Sequence, residues 1–242
     1  MIKASPYAVH VEKPVTGQFM AMHGLFLESD KCADGVELAT SEGQRWFRAR
    51  TNRRAPVRLE IHNLENPVVV EFINAREEAD LLKFFSKFGR LSEWLYGGRR
   101  DSNDIFEGNR PTSDWTLGHV TNRQKEFRDW LKSAAGPNQA EALRAMNESL
   151  GQSQAIDLTP TFELEAETGN PRMLLKCADL WQFMAMEIAM IAMHGAKLAT
   201  CEHCGDVFLT GSLTGRRSHA IYCSARCRVA AMRARNAKQA AS

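Results

Sequence analysis

No stretch of about 18 uncharged apolar residues occurs anywhere in this chain of 242 residues, so a membrane-spanning helix is not expected. The opening residues MIKASPYAVHVEKPV lack an apolar core segment followed by a small-residue cleavage pattern, so no secretory signal is expected and the protein reads as cytoplasmic. Also missing are a Walker loop, G-x-G-x-x-G, H-E-x-x-H and G-x-S-x-G. His10, His23, His62, His119 and His194 are scattered. The reading is therefore not an enzyme, although carboxylates from distant segments converge in some enzymes without leaving a motif. The most informative absence is of acid. From Val207 to the C-terminus there is none, against seven basic residues: Arg216, Arg217, Arg226, Arg228, Arg233, Arg235 and Lys238. The rest of the chain carries 24 basic and 29 acidic residues, so a mildly acidic body bears a basic tail, an asymmetry that suits a polyanionic partner.

Hydrophobic residues at 44% and charged residues at 25% fit a folded globular chain, long enough for one large domain with a small appendage. The pattern divides it into a mixed α+β domain over 1–198, with strands mainly in 15–75 and helices mainly in 75–198, and a finger over 199–242. The runs GQFMAMHGLFLES, QRWFRAR, PVRLEIH and NPVVVEFIN read as antiparallel strands. Asn74 with Glu77 forms a capping-box sequence, after which Leu81, Leu82, Phe84, Phe85 and Phe88 share a helical face that ends at Gly89. Residues 97–114 are polar and aperiodic, an expected surface loop. Helices are expected again from near Thr121, burying Phe127, Trp130, Leu131 and Ala134, and after Asn138, where Glu141 completes a second box. TFELEAE alternates as a returning strand. Asn170 as N-cap and Pro171 at the first helical position predict a long apolar helix over 171–198, rich in methionine. A helix apolar on most sides is central to a core, or buries a second face in a homodimer.

Cys201 and Cys204 form C-x2-C, and Cys223 and Cys227 form C-x3-C after 18 intervening residues. That spacing is the two-pair pattern of a zinc site. Gly205 permits the sharp turn that lets backbone amides face the first pair of thiolates. A thioredoxin-like reading of CEHC needs a βαβ context that is absent here, and it leaves the second pair without a role. Cys32 and Cys177 read as isolated buried thiols. His203 and His219 could replace a ligand, but four thiolates already close a tetrahedron. A closed four-cysteine shell has no open position, so one structural Zn2+ is expected, holding a knuckle, a hairpin and a helix too small to fold on burial alone.

From about Ser224 the sequence RVAAMRARNAKQAA favours helix throughout. At 100° per residue Arg226 and Arg233 lie on one side and Arg228 and Arg235 nearly opposite, so one pair is expected to pack against the finger while the other stays free. Arg216 and Arg217 could reach the same phosphate backbone, and Lys238 lies further along the helix. Guanidinium groups so arranged suit the phosphates and guanine edges of a major groove, and nothing in the pattern chooses DNA over RNA.

The segment CEHCGDVF…RRSHAIYCSARCRVAAMRAR resembles the C-terminal treble-clef zinc fingers of CGNR type found in bacterial proteins regarded as transcription regulators. The glycine knuckle, the phenylalanine four residues after the second cysteine, the aromatic before the third and the arginine-rich helix all correspond. The layout, a larger mixed domain leading through a long helix into the finger, is similar to the stress-regulator-like architecture of that family. The signature itself differs, since Arg228, Val229 and Ala230 follow Cys227 where the family has Gly-Asn-Arg, so the contacts of that signature are not carried over. The resemblance implies a DNA-binding regulator. The rival readings are a protein-interaction module, whose finger docks a partner or its own N-terminal domain, and an enzyme with a stabilising finger.

Overall fold

The computed structural model of the protein describes residues 25–41, 43–51, 53–61, 63–89, 91, 116–137, 140, 144, 148, 158–164 and 171–240. β1 (Leu25–Cys32) pairs antiparallel with β4 (Arg54–Glu60), Phe26 opposite Glu60 and Cys32 opposite Arg54. Between them β2 (Val36–Ser41) and β3 (Gln44–Ala49) form a separate hairpin. Three of the four expected runs are thus strands, the first from Leu25 onward.

The fourth run is a helix. Pro67 takes the N-cap position and α1 spans Val68–Asn74. Isolated VVVEFIN favours a strand, but Val68, Val69, Phe72 and Ile73 all fall on one helical face and all are buried. The ends of this short helix are closed by side chains from far away in sequence. Val68 and Val69 donate their amides to the two carboxylate oxygens of Glu187 at 2.9 and 2.8 Å. At the other end Gln124 donates to the carbonyls of Phe72 and Ala75 at 2.7 and 2.8 Å, and Arg128 donates to that of Ile73. Tertiary contacts here satisfy the orphan groups that every helix leaves at its ends.

α2 (Glu78–Phe88) follows, with a reciprocal capping box between Glu77 and Asp80, three residues beyond the expected Asn74–Glu77 pair, because Asn74 still belongs to α1. Leu81, Phe84, Phe85 and Phe88 are buried as the periodicity implies, and Gly89 ends the helix at φ +87°. α3 (Leu117–Ala134) starts four residues before Thr121, capped by the Thr116 side chain, which accepts from the His119 amide. Phe127 of α3 meets Phe72 of α1 edge to face at 5.9 Å, and Phe85 of α2 meets Phe47 of β3 at 4.8 Å. The expected loop over 97–114 lies outside the described residues, as does most of the helix expected after Asn138 and the end of TFELEAE.

The largest departure is at 171–198. Pro171–Cys177 is a strand, β6, and the helix α4 covers only Leu180–Met193, capped by Asp179, which accepts from the Gln182 amide at 2.8 Å. Asn170 lies outside the described residues. β6 sits between β1, to which it is parallel with Leu25 opposite Leu175, and β5 (Leu158–Leu164), to which it is antiparallel. The sheet order is β4-β1-β6-β5. Pairing along both edges outweighs the local preference of RMLLKC for helix. Besides the expected strand at TFELEAE, the start of which is part of β5, a second strand of this sheet thus occurs beyond residue 75 and one short helix before it. Nine of the fourteen residues of α4 are buried, and Met193 is its one large apolar side chain well exposed, at 55%. α4 is a central helix, most of it buried within one chain. No described helix is long and apolar enough to cross a membrane.

Candidate metal centre

After α4 the chain turns at Gly195 into β7 (Lys197–Thr200), which pairs antiparallel with β8 (Val207–Thr210). The register places Thr200 opposite Val207, so Cys201–Asp206 closes the hairpin as a tight knuckle. Within it the Cys201 amide donates to the Asp206 carbonyl at 2.8 Å, and the Gly205 amide to the Cys201 carbonyl at 2.9 Å. Gly205 has φ +73°, a conformation that calls for glycine, and the Arg76 guanidinium lies 3.2 Å from where a Cβ would sit. The Glu202 amide donates to the Ile221 carbonyl, bringing the second cysteine pair up to the first. Ser224 then caps the last helix, α5 (Ala225–Ala240): its hydroxyl accepts from the Cys227 amide and its carbonyl from the Arg228 amide.

The ligand atoms of Cys201, Cys204, Cys223 and Cys227 all lie within 4.8 Å of one another. Cys204 Sγ is 3.6 Å from Cys223 Sγ, which is 3.5 Å from Cys227 Sγ. These separations are too long for a disulfide and close to the edge of about 3.8 Å for a tetrahedron of sulfurs around an ion at about 2.3 Å. The cluster fits a single metal ion. Burial opposes a thiolate at Cys201, yet the amides of Cys204, Cys223 and His203 turned toward its sulfur bring it down to about 6. Burial pushes Cys204 up, assisted by the Cys201 sulfur and the Asp206 carboxylate, and burial with the Cys227 sulfur pushes Cys223 up. Four thiolates so close together need a cation between them, which is the service a metal ion performs.

His203 and His219 are exposed and outside the cluster. Cys32 and Cys177 are buried and lie outside the cluster; burial, with Asp179 and Glu187 nearby, pushes the Cys177 thiol up to about 12.

The finger docks onto the body at α1. Asn74 exchanges two hydrogen bonds with the Val207 backbone, at 2.8 and 2.9 Å. Arg76 pairs with Asp206 at 2.9 Å, and the other Asp206 oxygen lies 3.3 Å from Cys204 Sγ. The Leu64 amide donates to the carbonyl of Leu213, and Leu209 of β8 is part of the body's core. Arg216 belongs to this joint: its guanidinium donates to the carbonyls of Glu65 and Cys223 at 2.7 and 2.9 Å and lies over the Phe208 ring. It ties loop, knuckle and body together, and leaves the set of free cations. Asn74, Arg76 and Asp206 carry no local sequence signal, because Asn74 meets a partner 133 residues away.

The remaining basic residues are placed differently. Arg217, Arg226, Arg228, Arg233, Arg235 and Lys238 are all exposed, and none has an acidic partner among the described residues. The expectation that one arginine pair of α5 packs is corrected. The helix turns Cys227, Ala230 and Ala231 inward, all half-buried, and both arginine pairs border its outward face. A scan against protein-family models finds no match to this chain, and a search of curated proteins finds none either.

Proposed function

We propose that the protein is a nucleic-acid-binding regulator whose four-cysteine centre holds one structural Zn2+ and whose helix α5 meets duplex DNA. Four sulfur ligands at tetrahedral spacing suit zinc, which has no geometric demand beyond that shell. When bound, the ion supplies the folding energy of a segment that buries little else. Metal analysis of protein purified without chelator tests this part, with one zinc per chain expected; a metal-free protein with α5 fully helical would sink it.

The observation that carries the nucleic-acid reading is the outward face of α5. At 100° per residue, Arg226 with Arg233 and Arg228 with Arg235 form two rows about 160° apart, and Val229, Met232 and Asn236 lie midway between them. Val229 and Met232 are exposed at 38% and 51%, and Asn236 is exposed beside them. Such a helix in a major groove directs its rows toward the phosphates of the two walls and its central stripe toward base edges. Affinity for duplex DNA then falls with salt at a logarithmic slope of about −0.9 per phosphate neutralised, with some three to five contacts per chain. Replacing either arginine pair with glutamine weakens binding and flattens the slope by about 2, since both rows are free. Unaltered binding to DNA and RNA at low salt in both double variants would remove the reading.

A second reading, the finger as a brace for its own body, is supported by the docking through Asn74, Arg76, Arg216 and Leu64. It takes first place if metal removal lowers the melting temperature of the body while the arginine variants bind as the wild type does.

A further inference from the structure

Where the loop before α5 approaches the body, an open groove of about 850 Å³ runs between Glu65 and Asn66 on one side and the finger on the other. That volume lies within the range of about 300–1,000 Å³ typical of small-molecule sites. Ala220, Ile221 and Tyr222 give it apolar lining, and Arg217, His219 and Arg228 give it polar and basic lining. The Tyr222 ring is half-buried and stacks on no other aromatic ring among the described residues. Arg217 and Arg228 are exposed and have no acidic partner among those residues. Arg216, which also borders the groove, is already committed to backbone carbonyls and holds the wall in place. Glu65 is the one acid in the lining. It makes no ion pair with either free arginine, and its carboxylate lies against Gly215, where an added Cβ would come within 2.9 Å of it.

An unpaired aromatic ring, two unpaired guanidinium groups and side-chain acceptors in one concave surface match the parts of a nucleotide. A base has a π face for the tyrosine, a phosphate takes guanidinium forks, and ribose hydroxyls or an exocyclic amine donate to Asn66 or Glu65. We infer that this groove is a nucleotide-binding site, with Tyr222 as the stacking platform and Arg217 and Arg228 as the phosphate clamp. The inference deepens the nucleic-acid reading of the finger but uses a surface other than the outward face of α5; the two share only Arg228. The nucleotide unit comes either free, as an effector, or as part of a single strand.

The test uses the full, metal-loaded chain, titrated calorimetrically with ADP and, separately, with a single-stranded eight-nucleotide oligo(dA). Saturable binding of ADP identifies a free nucleotide as the occupant, and binding of the oligonucleotide alone identifies a strand. In either case Tyr222→Leu, which keeps apolar bulk and loses the ring, is expected to weaken binding about tenfold. Arg217→Gln, at an exposed position remote from the core, is expected to weaken it as well and to reduce its salt dependence. Zinc content verifies that each variant keeps its finger. Tyr222→Leu with unchanged affinity and full metal content overturns the proposal, as does a wild type that takes up neither probe at millimolar concentration. A wild type that binds duplex DNA but neither probe overturns the groove and leaves α5 standing; binding of a probe without duplex binding does the reverse.

Discussion

Around α1 and α4 the chain is held by burial, whereas around the four sulfurs it buries little and gathers the donor set of a metal site. Phe72, Phe84, Phe85, Phe127 and Phe183 are each no more than 1% exposed, in a continuous core that reaches from β1 to β8. From Ser212 to the end of α5, Thr214 is the only described residue that is buried. A helix with almost no core of its own depends on whatever anchors its first turn, which here is Cys227. A metal ion held by the four sulfurs would let the protein expose a basic helix on nearly all sides, something apolar packing cannot do. The knuckle's β-hairpin stands between the two regimes, since Phe208 and Leu209 are buried while its tip carries two of the ligands.

The largest expected effect breaks the finger and leaves the body. Chelation, or Cys223→Ser, removes an interaction worth about 10 kcal/mol or more for structural zinc in small fingers, so α5 loses its helix signal in circular dichroism. Amide exchange is expected to stay slow in α1, α4 and the β7–β8 hairpin, because their burial does not depend on the ion. Loss of protection throughout the chain would show instead that finger and body unfold as one unit. Next in size, Phe72→Ala strikes the body where three aromatic rings meet it, at an expected cost of about 3–5 kcal/mol in denaturant unfolding, with zinc content unchanged.

Glu187→Met comes third. It leaves two buried amides of α1 without an acceptor and is expected to cost about 1–3 kcal/mol. The same residue makes a pH prediction. Burial pushes the Glu187 carboxyl up to about 8, against the pull of the Val68 and Val69 amides. The folded state therefore holds this proton more tightly than the unfolded state does, so stability falls as pH rises from about 4.5 to about 8, and levels off above. Wild type is expected to lose stability relative to Glu187→Gln across that window; parallel profiles for the two would overturn the assignment. The smallest effect is Arg76→Ala. The Arg76–Asp206 pair is largely exposed, so less than about 1 kcal/mol is expected, seen as faster exchange of knuckle amides with no change in the melting of the body.

The same contrast accounts for which features were legible before the structure. The ligand set, the glycine knuckle and the start of α5 were, because each is a short-range pattern: ligands three and four residues apart, a turn that needs positive φ, an unbroken run of helix formers. α2 and its end at Gly89 were legible for the same reason. The body was legible only in class. α1 was read as a strand because its β-branched run says so locally, and β6 as a helix because Pro171 and RMLLKC say so locally. Glu187 carries no local signal of its role, and it is the acceptor that closes α1.

By itself, then, the sequence determined a mixed α+β chain ending in a four-cysteine centre and a basic helix, since these rest on composition and on residues close together in the chain. Tertiary structure alone decided that 68–74 coils and 171–177 extends, that Arg216 braces the joint while both arginine rows of α5 stay free, and that Tyr222 faces a groove. Each of these depends on which distant groups satisfy a backbone or cover a side chain, and no local pattern encodes a partner more than a hundred residues away.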